Sequence, residues 1–407
     1  MLKEIAGGVC AAKGFTAAGV HCGVKAGSSP DKNDLAMILS ERECSAAAVY
    51  TLNRVKAAPI YVTMGNLEDG VCRGVIANSG NANACAPQSH ENAEAMCALA
   101  AQATGLKPGD FVVASTGVIG QELNISAIEK GMPALVSALS ADGSDAAARA
   151  VMTTDTVKKE TAVAVTIGGK TVTVGAIAKG SGMIHPNMGT MLCFITTDCA
   201  ITPDVLQDAL HDIVPRTFNR VTVDGDTSTN DMCVVLANGM AGNEQIEWKD
   251  DDYTLFHKAL HQVCETMARA IAADGEGASR LVTCTVRSAR SEESAERLAK
   301  AVVGSSLVKA ALFGADANWG RVLCAMGYSK APFRPEYVDI GFSSIQGSVL
   351  VCEKGTGLDF DEELAKKILT QDEVVIEVSL NEGDHEATCW GCDLTYDYVK
   401  INGDYRT

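Results

Sequence analysis

Between Lys159 and Lys179 apolar residues fall on alternate positions: Val163, Val165 and Ile167, then, past Gly168 and Gly169, Val172 and Val174. A period of two marks a strand with a buried face, and a Gly-Gly pair between two such runs marks a tight hairpin. The apolar runs VCRGVIANSG (71–80), FVVASTG (111–117) and TMLCFITTD (190–198) predict further buried strands. Elsewhere the period lengthens to that of a helix. Leu255, Ala259, Val263, Met267 and Ile271 recur on one face of 251–273. Thr202 followed by Pro203 predicts a cap and first turn for VLQDALHDIV. Ser291 caps EESAERLAKAVV, with Glu292 and Glu293 where the helix dipole favours negative charge. Past about residue 280 the pattern shifts toward strands: LVTCTVRS, RVLCAMGYS, VDIGF, SVLVCE and VVIEVSL. The chain therefore reads as mixed α/β, of the α+β type, with a domain boundary between 1–280 and 281–407.

At 407 residues the length suits two or three domains. Apolar residues make up 47% but aromatics only 5%, so the core must be built from Ala, Val, Ile and Leu. There is no apolar run of 18 residues and no basic-then-apolar leader, so the expected compartment is the cytoplasm, with no membrane partner. A formal charge of −17 without a basic cluster argues against nucleic acid and anionic lipid. The 15 cysteines form no regular framework and read as reduced, mostly buried small apolar residues. The pair Cys389 and Cys392 lies inside an extended pattern, not at a helix start, and reads as packing.

Familiar motifs fail on inspection. GGKT (168–171) is a hairpin turn without the first glycine of a phosphate loop. VDGDTSTND (223–231) alternates acidic and hydroxyl residues as a calcium loop does, but has Thr229 at the glycine position and Val235 at the final glutamate position. His257 and His261 lie one helical turn apart without a third ligand, so no metal site is expected.

The most unusual segment is AKGSGMIHPNMGTMLCFITTD (178–198). Glycines, Pro186 and Asn187 crowd the approach to an apolar strand that begins at Thr190. Composition alone reads this as a turn between strands. A second reading is N-terminal nucleophile chemistry. A threonine hydroxyl needs a base, and an α-amine with a pKa near 7.7–8.0 can be one. Thr190 has that amine only if the Gly189–Thr190 bond is cut, and Gly189, lacking Cβ, lets the hydroxyl approach the scissile carbonyl. Acyl transfer also needs donors for an oxyanion, which the Thr116 hydroxyl and Gly117 N–H after a strand could supply. NSGNANAC (78–85) could line a pocket or form a tight turn.

With NSGNANAC, STGVIG (115–120), MTTDT (152–156), KGSGMIHPNMGTML (179–192), VDGDTSTND, DGEGA (274–278), ADANWGR (315–321) and YVKINGDYRT (398–407) in order, the chain resembles the ornithine acetyltransferase (glutamate N-acetyltransferase) family of arginine biosynthesis almost end to end. The resemblance implies an N-terminal-nucleophile-like layered αββα domain with a second, smaller α+β domain. It implies autoprocessing into pieces 1–189 and 190–407, held as a heterotetramer of two of each. No metal or organic cofactor is implied. The implied reaction carries an acetyl group from N2-acetylornithine to glutamate by a ping-pong route, and some members also take acetyl-CoA. Thr190 would be the nucleophile, and Thr116 and Gly117 the oxyanion hole. Thr153, Lys179, Thr190, Glu276, Asn402 and Thr407 would contact substrate, with Thr154 and Thr156 as rivals to Thr153. Gly189 departs from the alanine more common in the family. An aminopeptidase or amidase of the same nucleophile type, or an uncleaved binding protein, are the alternatives. The polar C-terminus reads as disordered by composition, and would have to fold back to serve.

Overall fold

A computed structural model describes residues 2–25, 27–185 and 191–404. The positions Gly189, Thr190 and Thr407 of the sequence reading lie outside them. The described strands form two sheets. The first contains β1 (Lys3–Ile5), β2 (Phe15–Val20), β3 (Leu35–Tyr50), β4 (Val71–Asn78), β5 (Phe111–Ser115), β6 (Lys159–Ile167), β7 (Lys170–Lys179), β8 (Leu192–Thr197) and β9 (Met232–Ala237). Their order is β1-β6-β7-β8-β9-β3-β4-β5, with β2 also paired to β3. The β6–β7 hairpin closes on two residues, Ile167 facing Lys170, with Gly168 and Gly169 both at positive φ (54° and 76°). That is the turn whose twist matches the flanking strands.

This sheet is not flat. Five strand spacings, roughly 24 Å in a plane, separate β7 from β5. Yet Lys179 at the end of β7 donates to Thr116, just past β5, at 3.2 Å. The two halves must therefore fold face to face. The sixteen-residue β3 spans the fold: Leu35–Leu39 pair with β4, Ser45–Tyr50 pair with β9, and the register slips between Leu39 and Cys44. Side-chain parity follows. Ala36, Ile38, Ala46 and Ala48 of β3 join Phe194, Val234 and Val75 in the inner core. The odd-numbered Leu35 and Met37 meet one helical layer, Ala47 and Val49 the other. The first layer includes Ser89–Thr104 and Ile125–Ser137, the second Pro203–Ile213 and Asp251–Ala273. The result is an αββα stack. Small inner residues suit close packing of two sheets.

The second sheet comprises β10 (Leu281–Ala289), β11 (Asp339–Ser344), β12 (Gly347–Glu353), β13 (Thr356–Gly357), β14 (Glu373–Ser379) and β15 (His385–Cys392). Helices, including Glu292–Gly304, pack on it around a separate α+β core. Trp390 and Cys392 of β15 reach the other way, into the αββα core. Cys389 and Cys392 are both buried, three positions apart on one strand and in different cores, as packing residues would be.

Caps act unequally. The Ser291 hydroxyl accepts the Ser294 N–H (3.2 Å), whereas Thr202 begins its helix without a side-chain bond. One expected strand is a helix: all of RVLCAMGYS but its last two residues falls in Trp319–Gly327. Asn318 caps it by accepting the Arg321 N–H at 3.0 Å, and Val322, Ala325 and Met326 are its buried stripe. The C-terminal segment is also ordered into a helix, Tyr396–Asp404.

Candidate active site

Where the rims of the two sheet halves meet lies a cavity of about 130 Å³. Thr116, Gly117, Thr153, Lys179, Glu276 and Asn402 all line it. These six come from five separate stretches of sequence, and the fold brings them together.

The wall at Thr116 begins where β5 ends. Thr116 N–H bonds Asn78 O (3.0 Å), and Asn230 Nδ2 braces Ser115 O (2.9 Å) and Ala82 O (2.6 Å). Gly117 has φ +135°, and a Cβ there would overlap the backbone of Gly80. Only glycine fits both the conformation and the space. NSGNANAC does both things open to it. Ala82 lines the cavity, while Asn78 accepts the Ser115 hydroxyl (2.7 Å) and Asn81 accepts the Asn83 N–H (2.7 Å) to hold the turn.

Lys179 is buried and donates to Thr116 Oγ1. Burial pushes its ammonium below the usual lysine pKa, and the carboxylate of Asp155 counters this. Asp155 is itself held at about 2: burial would raise it, but Lys179, Lys159 and the N–H of Gly180 outweigh that cost. An ammonium only donates, so Thr116 Oγ1 accepts from Lys179 and its own proton stays available for another acceptor. That suits stabilisation of an oxyanion.

Geometry narrows the rivalry among the threonines to two. Thr153 and Thr154 line the cavity. Thr156 is not among the lining residues, and its hydroxyl and N–H bind the Asp274 carboxylate. Opposite, Glu276 accepts from Asn402 Nδ2 at 2.7 Å. The C-terminal helix reaches it because Gly277, at φ +68°, leaves room for the Tyr398 backbone, and Thr395 Oγ1 bonds Gly277 O (2.6 Å). The described part of the tail, through Asp404, is thus folded back onto the site.

Gly182 offers a test of Glu276. A Cβ there would overlap the Glu276 carboxylate, which supplies all three of its nearest atoms. Should Glu276 hold a substrate amine, Gly182→Ala is expected to swing that flexible side chain aside and raise KM for that substrate about 10-fold, the loss of roughly one charge-assisted hydrogen bond. Its melting temperature should stay close to that of the wild type.

Sequence reasoning missed Ser228, Thr229 and Asn230, which also line the cavity. Their segment resembles a calcium loop that fails and is one of the motifs of the family resemblance, which gives these three residues no role. The dense run of hydroxyl and amide residues was the available signal. No group of three metal-ligating side chains is found among the described residues.

A model of the ArgJ family matches residues 16–407. The chain belongs to the ArgJ family. The arginine biosynthesis bifunctional protein ArgJ of Symbiobacterium thermophilum is 51% identical over 407 residues, covering 100% of both chains. ArgJ 1 of Clostridium acetobutylicum is 50% identical over 394 residues, 97% of this chain and 96% of its own. A crystal structure of the ArgJ protein from Bacillus halodurans, 47% identical, aligns with a TM-score of 0.50 over 52% of this chain and 98% of its own. The cavity of this ArgJ-family enzyme lies wholly within the matched residues.

Proposed function

We propose that this enzyme serves arginine biosynthesis by moving an acetyl group from N2-acetylornithine to glutamate through an acetyl ester on Thr190. The chain first severs its Gly189–Thr190 bond. Thr190 Oγ attacks the Gly189 carbonyl, the acyl group shifts from nitrogen to oxygen and so frees the Thr190 amine, and water then hydrolyses the ester, releasing the Gly189 carboxylate and restoring the hydroxyl. In turnover Thr190 Oγ attacks the acetyl carbonyl while the Thr190 amine takes its proton. Thr116 and Gly117 hold the oxyanion. The carbon–nitrogen bond breaks, and ornithine leaves with that proton. The glutamate amine then attacks the ester, yielding N-acetylglutamate and restoring the hydroxyl. Acetyl-CoA as donor would load the same oxygen. Thr153, Lys179, Glu276, Asn402 and Thr407 bind the substrates, and the pieces 1–189 and 190–407 assemble two and two.

The observation that carries this reading is the meeting of residues from both sides of the 189/190 bond in one cavity. Thr116 and Lys179 precede it; Glu276 and Asn402 follow it. Register supports it further, since Lys179 pairs with Leu192, two residues beyond Thr190. So does chain length. The solved Bacillus halodurans chain, almost wholly matched, spans just over half of this one, as the longer piece of a cut at 189/190 would.

Intact-mass measurement after incubation with N2-acetylornithine tests the proposal. A fragment beginning Thr-Met-Leu-Cys should gain one acetyl group and lose it on adding glutamate. No adduct, with free acetate accumulating instead, would favour an amidase.

A further inference from the structure

Behind the cavity wall lies a buried ion cluster to which the reaction above assigns nothing. Lys159 is 2% exposed and donates to Asp155 Oδ1 (2.7 Å) and Asp274 Oδ2 (2.6 Å). The cluster ties three wall segments together. Asp155 accepts the N–H of Gly180 (2.8 Å), the residue after Lys179, and the N–H of Thr153 (3.1 Å). Asp274 accepts the N–H of Thr156 (3.1 Å), and its carbonyl accepts the Ser181 hydroxyl (2.7 Å). Ser181 O in turn accepts the Glu276 N–H (3.0 Å).

Charge adds a second observation. Two carboxylates and one ammonium leave the cluster one negative charge in excess, deep in the protein, where an uncompensated charge is costly. Lys179 acts on Asp155 as a second cation, brought near by the Gly180 N–H that Asp155 Oδ1 accepts at 2.8 Å. We infer that Asp155 is a positioning residue that acts as counter-ion to Lys179, keeping that ammonium charged and aimed at the Thr116 hydroxyl while it pins the backbone on which Thr153 and Lys179 stand. The inference rests on the proposed roles of Lys179 and Thr116 in acyl transfer.

Its consequence is a matter of hydrogen-bond direction. A charged Lys179 can only donate, so Thr116 offers its proton to the oxyanion. A neutral Lys179 could accept that proton, and Thr116 would turn its donor away from the reacting carbonyl. The groups acting on Lys179 are Asp155, Asp231 and Glu276, which favour its charged form, and Lys159, which opposes it together with burial. Asp155 is the first among the favourable ones.

The test is the pH dependence of kcat/KM for acetyl transfer from N2-acetylornithine to glutamate, in wild type, Asp155→Asn and Lys179→Met. Asp155→Asn should move the alkaline limb down by about 1–3 pH units, the span of one nearby opposite charge, with the acid limb unmoved. An alkaline limb that stays in place while only the folded yield falls would make Asp155 purely structural and overturn the inference. Lys179→Met that transfers acetyl at the wild-type rate would instead overturn the reading of the site itself. A readout independent of Asp155→Asn folding comes from wild-type protein carrying ε-¹³C lysine, with the Lys179 signal assigned by its loss in Lys179→Met. The shift of an ammonium at pH 8 is expected, and that of a neutral amine would overturn the inference.

Discussion

Thr190→Ala is expected to remain a single 42.5 kDa polypeptide and to lose acetyl transfer by on the order of 10⁴-fold or more, the scale seen when a catalytic nucleophile is removed. Both losses follow from one atom. The same hydroxyl would attack the Gly189 carbonyl once and the acetyl carbonyl at each turnover. Cleavage on a denaturing gel and transfer in a coupled assay should therefore fail together. Thr190→Ser, which keeps an oxygen at that position, should restore two fragments and part of the activity. If Thr190→Ala were still cut at 189/190, another residue would be severing the chain. If it were uncut yet active, the free amine would be irrelevant to transfer.

Lys159→Met is expected to cost about 3–5 kcal/mol, the cost of leaving buried charge without its partner. That is a large part of the roughly 5–15 kcal/mol that holds a domain together. The side chain of Lys159 is almost wholly buried between Asp155 and Asp274, and removing it leaves both carboxylates without the ammonium that bridges them. The urea midpoint should fall sharply with little change in slope. Its neighbour is the control: Lys158, partly exposed and paired with Glu160 at 2.6 Å, should cost under about 1 kcal/mol as Lys158→Met. Acidity probes the same cluster. Asp155 is held at about 2, below its ordinary 3.8. Its stabilisation is therefore complete above about pH 4 and fades as the pH falls from there toward 2. In Lys159→Met that acid-dependent component should shrink.

Much of the fold was legible because it was written locally. Val163, Val165 and Ile167, then Gly168-Gly169, specify a hairpin within seven residues of sequence, and Leu255 to Ile271 specify a helical stripe. RVLCAMGYS misled because its apolar residues suit either period, and the deciding cap, Asn318, stands outside the run. The folding over of the first sheet had no local sign, since it depends on β3 pairing with different partners at its two ends. In the site, glycines and threonines in unusual strings drew attention to Thr116, Gly117 and Lys179. The Lys159 cluster escaped notice because its members, Asp155 and Asp274, lie 119 positions apart. A lysine and two aspartates look like solvated surface until burial is known. Asn402 was readable only through resemblance, as a polar tail carries no sign of its docking against Gly277.

The strand order carries a topological consequence for any break in the 186–190 segment. Strands β8 and β9, from downstream of it, are inserted between β7 and β3, from upstream, with backbone hydrogen bonds along both seams. The fragments would be interwoven rather than docked, like fingers of two clasped hands. Neither could leave without breaking both seams, β7 with β8 and β9 with β3, so dilution alone should never separate them, and each made alone would lack the neighbours its strands at those seams require.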